Sequence, residues 1–210
     1  WLAPGTYLVD YTIDIGSDYT FESIDPEDKA IIDLQGNGPI HVNYDNTFRN
    51  IIVRNSGREG FKVWGSRNLF EGVISEYNHY SGFQTWPQDS SDLKNPVGGS
   101  DNVFRDSTAR YNGRNCAQSG SSACYGDADG FTLSRGRNNT IEHSSAYGNT
   151  DDGIDVWMTY RSTVRYTHSF ENGYDAQGNA AGNGVGYKIG SSDPNTPIPT
   201  EHVIANNWAQ

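Results

Sequence analysis

The chain is short of most features that mark helical, membrane-spanning or nucleic-acid-binding proteins. Its 210 residues include two cysteines and one methionine, and lysine plus arginine number 15 against 26 acids, a net charge of −11. That balance disfavours nucleic acid and anionic membrane as partners, because a protein field of the same sign repels them. No run approaches the roughly 20 apolar residues that a membrane helix requires. No stretch keeps a helical apolar period, the leucine spacing of a leucine-rich horseshoe is missing, and no Cys/His spacing supports zinc. The hydrophobic fraction of 34% and mean hydropathy of −0.71 are low for a compact globule. They suit a thin solenoid rich in turns, and the 24 glycines fit the same picture.

Five glycines are each followed by a bulky apolar residue, a variable residue and usually another apolar one: Gly60-Phe61-Lys62-Val63, Gly82-Phe83-Gln84-Thr85, Gly130-Phe131-Thr132-Leu133, Gly153-Ile154-Asp155-Val156 and Gly186-Tyr187-Lys188-Ile189. A second element pairs an apolar anchor with an asparagine about eight residues later: Phe48 and Asn55, Phe70 and Asn78, Phe104 and Asn112, Ile141 and Asn149, Val164 and Asn172. Phe61 to Phe83 is 22 residues and Phe131 to Ile154 is 23, a period too short for helix-pair repeats and right for one coil of short strands. Ile51-Ile52-Val53, Val73-Ile74 and Val63-Trp64 have strand composition between Gly, Asn and Ser. The reading is all-β: one right-handed parallel β-helix, a single solenoid domain over residues 1–210, with asparagines stacked along a turn. A chain of this length can bury a sizeable core.

Trp1 to Tyr7 starts mid-pattern, and His202 to Trp208 resembles the first half of another coil. The expectation is a fragment or trimmed chain with incomplete terminal coils, so an absent leader says little about localisation. Cys116 and Cys124 lie in one Gly/Ser-rich insertion. As a disulfide they would close a surface loop and imply an oxidising, extracellular setting; two unpaired thiols are the alternative.

Long insertions point to a working face. Asn112 to Gly130 spans 18 residues and Asn172 to Gly186 spans 14, whereas the short coils need four or five. Both long loops leave the same turn, one coil before and one coil after the coil of Asn149, so they should wall a groove over the strand that begins at Gly153. A third insertion, Pro87 to Asp101, leaves the other end of the strand and adds a rim.

Stacking the glycine elements sets Asp129 beside Asp152 on neighbouring coils about 4.8 Å apart, with Asp151 adjoining. Asp155 takes the outward variable column because Ile154 and Val156 face the core, and Lys188 is the next member of that column. Four carboxylates and one amine therefore meet on one solvent face. Clustered carboxylates repel, and a hard cation relieves the repulsion. Calcium accepts six to eight oxygen ligands and suits three or four aspartates with water; magnesium prefers fewer carboxylates. Aspartates that merely punctuate turns are the alternative, and the convergence of four weighs against it. Asp127-Ala128-Asp129-Gly130 is no helix-loop-helix calcium loop, since the glutamate expected six residues after the glycine falls on Gly136.

Asp129-Gly130-Phe131, Asp151-Asp152-Gly153-Ile154-Asp155-Val156-Trp157 and Gly184-Val185-Gly186-Tyr187-Lys188-Ile189-Gly190 resemble the family 9 polysaccharide lyases, the β-helical pectate lyases. The resemblance covers about residues 100 to 190 by motif. It implies that Asp129, Asp151, Asp152 and Asp155 bind catalytic calcium (Ca2+) and that Lys188 is the base. The implied reaction is β-elimination in pectate: calcium neutralises the uronate carboxylate, Lys188 takes the C5 proton, and the C4 oxygen leaves. A lysine must be neutral to act, so an alkaline optimum is expected. The implied partner is an acidic polysaccharide, bound by a secreted monomer, and the excess of acids then requires a local cation to offset the overall field.

Lys62 shares the outward column but lies three coils from Asp155, about 14 Å along the stack, so Lys188 is the better base. Trp157 and Trp86 should face outward, either to stack on sugar or to pack under loops. Arg135, Arg137 and Arg161 are candidates for further uronate carboxylates, because guanidinium forks match that geometry. One alternative is a β-helical polygalacturonase, echoed by Asn149-Thr150-Asp151 but without its Gly-His-Gly and Arg-x-Lys elements. Another is a noncatalytic carbohydrate-binding or adhesion β-helix that holds calcium structurally.

Overall fold

A computed structural model describes residues 1–92, 94–114, 126–190 and 201–210. The expected disulfide partners Cys116 and Cys124 lie outside the described residues. Successive short strands wind into three parallel sheets of eight, seven and seven strands, each strand pairing with its counterpart one coil away. The result is a right-handed parallel β-helix, and no α-helix occurs among the described residues.

One sheet positions the site. Its strands are Ile13–Ile15, Ile40–Val42, Phe61–Val63, Phe83–Thr85, Phe131–Ser134, Ile154–Trp157 and Tyr187–Gly190, in that spatial order. The register runs Phe61 to Phe83 to Phe131 to Ile154 to Tyr187, so the glycine elements superimpose as their spacing predicts. The glycines are small for a local reason: a Cβ at Gly130 would lie 2.6 Å from the carbonyl oxygen of Gly153, and one at Gly82 would lie 2.9 Å from that of Gly130. Coils at β-sheet spacing leave no room there for a side chain.

Inward residues build two aromatic columns. Phe48, Phe70 and Phe104 stack with centroids 4.9 Å apart, and Phe61, Phe83 and Phe131 stack at 5.2 and 4.9 Å. The columns meet edge to face, as at Phe70 and Phe83. Each fully buried ring contributes roughly 1.5–3 kcal/mol of transfer free energy, with a further increment from ring geometry. All six are buried.

The turns are satisfied by ladders. Asn78, Asn112, Asn149 and Asn172 are buried, and each Oδ1 from Asn112 onward accepts both the backbone N–H and the Nδ2 of the asparagine one coil earlier, at 2.9–3.1 Å. The expected rung at Asn55 is displaced. Ser56 donates its N–H to Asn78 Oδ1 instead, because this coil reaches its asparagine one residue sooner. Asn55 takes a left-handed φ of 58° and donates to Asp33 Oδ2. A second ladder, Asn46, Asn68, Asn102 and Asn139, runs along another corner.

The rim insertion after Pro87 folds back on itself through an antiparallel bridge between Asp89 and Val97. Arg137 donates from Nη1 to Lys94 O and Asn95 Oδ1, so it ties this rim to the coils.

Candidate functional site

The outward column of the site sheet reads Asp14, His41, Lys62, Gln84, Thr132, Asp155, Lys188, one residue per coil. Each follows an inward aromatic or aliphatic residue, and strand alternation turns it to the groove. The residue before each of the first four glycines forms a parallel column of Glu59, Ser81, Asp129 and Asp152. Glu59, Ser81 and Asp129 bond to outward-column residues of their own or the next coil, while Asp152 bonds to Lys188. Thr132 Oγ1 donates to Asp129 Oδ2 at 2.7 Å. The backbone N–H of Asp152 donates to Asp129 Oδ1 at 3.1 Å.

A cavity of about 620 Å³ opens over this face, lined by Gln84, Trp86, Asp127, Asp129, Asp155 and Lys188 among others. Carboxylate oxygens of Asp129, Asp152 and Asp155 fall within 4.8 Å of one another, and all three side chains are buried. Lys188 Nζ donates to Asp152 Oδ2 at 2.9 Å and pairs with Asp155 Oδ2 at 3.0 Å. Asp151 stands just outside that tight trio. Its Oδ1 accepts the N–H of Asn183 at 2.5 Å, while Asp152 Oδ1 accepts that of Val185 at 2.9 Å. These two bonds fix the loop that leads into the strand of Lys188, so the motif acids position the amine as well as contact it.

Burial, followed by the charge of Asp155, raises Asp129 well above the usual carboxylate range. Asp155 is pushed up to about 6 by burial, against the opposing charge of Lys188. Asp151 is raised by burial despite the N–H of Asn183. Burial alone would lower Lys188, but its hydrogen bond to Asp152 and the charge of Asp155 outweigh it and raise the ammonium above its ordinary value.

The donor set fits a hard cation. Asp151 Oδ2 and Asp155 Oδ1 are buried with no hydrogen-bond partner, a costly state for a carboxylate oxygen that a coordinated ion would relieve. Every candidate ligand is oxygen, as calcium prefers. Asp127 is exposed and lines the cavity beside the cluster.

The other expected residues divide by place. Trp157 and Trp86 line the cavity, and the guanidinium of Arg135 sits between them, 4.9 and 5.1 Å from the ring centroids. Arg161 is outside the lining set; its Nε donates to Glu201 Oε2 at 2.6 Å. Lys62 pairs with Glu59 at 3.0 Å. Gln84, Thr132 and Ser134 also line the groove. The outward column that carries Asp155 and Lys188 marks the first two in the sequence as well.

Comparison with known proteins places this arrangement. A family model described as "Pel9A-like, right handed beta helix region" matches residues 1–210. "Pectate lyase L" of Dickeya chrysanthemi is 29% identical over 91% of this chain and 47% of its own length. The chain thus spans about half the length of the curated relatives it matches first. A solved structure of pectate lyase Pel9A superimposes with a TM-score of 0.65 at 20% identity, covering 99% of this chain and 52% of that one. A rhamnogalacturonan lyase superimposes with a TM-score of 0.72, also at 20% identity, covering 99% and 59%. Both likenesses are of fold. With the family match running from the first residue to the last, the chain belongs to the Pel9A-like right-handed β-helix family.

Proposed function

We propose that this chain carries the catalytic groove of a calcium-dependent polysaccharide lyase that cleaves pectate by β-elimination. The observation that carries the reading is the placement of Lys188 Nζ 2.9 Å from Asp152 and 3.0 Å from Asp155 at the edge of a buried acid cluster. The relatives named as pectate lyases point to the substrate class.

Asp129, Asp151, Asp152 and Asp155 would hold the ion. When bound, calcium would neutralise the uronate carboxylate and favour negative charge on the adjacent carbon. Lys188 would accept the C5 proton, the C–H electron pair would become the C4–C5 double bond, and the C4–O bond would break, with the departing oxygen taking a proton from water. That role requires a neutral amine. Asp152 and Asp155 hold the proton on Lys188 when their charge faces it alone. With that charge engaged by a bound cation, Lys188 would lose the partners that keep it protonated, and the added positive charge would disfavour its ammonium form. Turnover is accordingly expected to rise on the alkaline side.

Arg135 and Trp157, on the groove wall, are assigned to contacts with the polymer. Arg161, engaged by Glu201, is reserved for a polymer that runs past the groove. Every group invoked comes from one chain, so a monomer suffices, and a polymer too large to cross a membrane fits an enzyme that acts outside the cell. The test is the product of polygalacturonate digestion. A lyase leaves an unsaturated sugar end that absorbs in the ultraviolet; new reducing ends without that absorbance would mean hydrolysis instead.

A further inference from the structure

Beyond the acid cluster the same outward column continues toward the N-terminus and carries a second group of polar side chains that the elimination does not use. Gln84 lies at the end of the cavity, three coils from Lys188, and its Oε1 is buried with no hydrogen-bond partner. One coil further, Lys62 Nζ pairs with Glu59 Oε1 at 3.0 Å. Glu59 is 3% exposed, and its other oxygen, Oε2, is buried without a hydrogen-bond partner; Arg58 Nε stands 3.7 Å from it. Glu59 and Lys62 repeat, in their coil, the columns of Asp152 and Asp155. An ion pair whose carboxylate is buried and whose ammonium is only partly exposed is expensive to desolvate and adds little net stability. Two orphaned acceptors beside it raise that cost.

The ammonium also belongs to a longer arrangement. Lys62 Nζ lies 5.6 Å from the ring centroid of Trp86, which also meets the guanidinium of Arg135, and that guanidinium in turn meets Trp157. The column two residues beyond the outward one reads Trp64, Trp86, Ser134, Trp157 on successive coils. The small Ser134 leaves a gap, and Arg135 fills it. Cation and indole therefore alternate from Lys62 to Trp157 along the groove, with the rings holding the charged groups in fixed positions. In a chain of net charge −11, Lys62 and Arg135 are two cations set in order along the groove, where an acidic polymer needs local positive charge.

We infer that Glu59, Lys62, Gln84 and Trp86 form a distal subsite for one uronate residue of the polymer, roughly 14–19 Å from Lys188 at β-coil spacing. Lys62 receives the sugar carboxylate while Glu59, itself buried, positions the ammonium; Gln84 offers its amide to sugar hydroxyls, and the edge of Trp86 borders the ring. The inference rests on the reading of the groove as a site for a uronate polymer, and it makes binding depend on chain length.

The test uses the full chain with oligogalacturonates of three and of eight residues. Two variants are compared with wild type: Gln84→Leu, and the charge-neutral pair Glu59→Gln with Lys62→Met, which avoids stranding one buried charge. With the octamer each variant is expected to raise KM about tenfold at unchanged kcat, while kinetics on the trimer stay as in wild type. Calorimetric binding of the octamer in chelator supplies a readout that needs no turnover, with the fully methyl-esterified octamer as control. Weaker octamer binding by both variants, with the esterified control unaffected, supports the subsite even if no elimination is seen, in which case only the lyase reading fails. Equal octamer binding by wild type and both variants, equal losses on trimer and octamer, or no octamer binding by wild type would overturn it.

Discussion

Lys188 faces Asp155 across one rung of the parallel sheet, their backbones in register and their charged atoms 3.0 Å apart. The two residues are 33 positions apart in the chain, yet one coil suffices to join them. This pairing makes the amine both a candidate base and a competitor for the oxygens a cation would use.

Replacing Lys188 by alanine should therefore separate two properties. Turnover should fall by about 10²–10⁴-fold, the range general-base catalysis supplies. Calcium should bind at least as tightly as in wild type, because the ammonium no longer shares Asp152 and Asp155. Rates on polygalacturonate and calcium titration calorimetry report the two separately.

Stability without metal should depend on pH through Asp155. Its folded pKa of about 6 exceeds the ordinary value of 3.8, so between about pH 4 and 6 the folded state keeps a proton that the unfolded state has lost. The sign follows: the contribution of this group is full below the unfolded value and is lost as pH rises through the folded one, a change on the order of 2–3 kcal/mol. Denaturant titrations in chelator across that window should show this fall in wild type and a flatter profile in Asp155→Asn.

Calcium should reverse the penalty. Metal bound to the folded state alone adds about 2.7 kcal/mol at a hundredfold excess over Kd, so thermal unfolding should shift upward with calcium and return with chelator. Affinity should weaken below about pH 6 as Asp155 takes up its proton. Asp151→Asn, which alters a buried oxygen with no hydrogen-bond partner, should reduce the calcium shift.

Asn112→Ala should destabilise the fold by about 1–3 kcal/mol, the cost of leaving buried backbone groups unpaired. Asn112 is fully buried, and its Oδ1 accepts two bonds from Asn78 while its own N–H and Nδ2 donate to Asn149. Chemical denaturation measures the loss.

Much of this was legible because a solenoid converts sequence spacing directly into spatial columns. The glycine elements fixed the register that joins Asp129, Asp152, Asp155 and Lys188. The misplaced rung at Asn55 shows where spacing misleads: the asparagine count ran one residue short in that coil, and Ser56 serves the ladder. The ladder of Asn46, Asn68, Asn102 and Asn139 was readable as an asparagine two residues before each anchor at Phe48, Phe70, Phe104 and Ile141. The seating of Arg135 between two indoles was not, because it depends on a gap at Ser134 two coils wide. Nor does spacing reveal that Asp151 stands apart from the tight trio, since a turn sets that orientation and the strand period does not.

The most direct test of the central claim is the initial rate of ultraviolet-absorbing product formed from polygalacturonate by wild type and by a folded Lys188→Ala variant, each with calcium and with chelator. The account predicts product from wild type with calcium alone, and none from the variant under either condition although it still binds the ion. Comparable product from the variant, or undiminished wild-type rates in chelator, would contradict it.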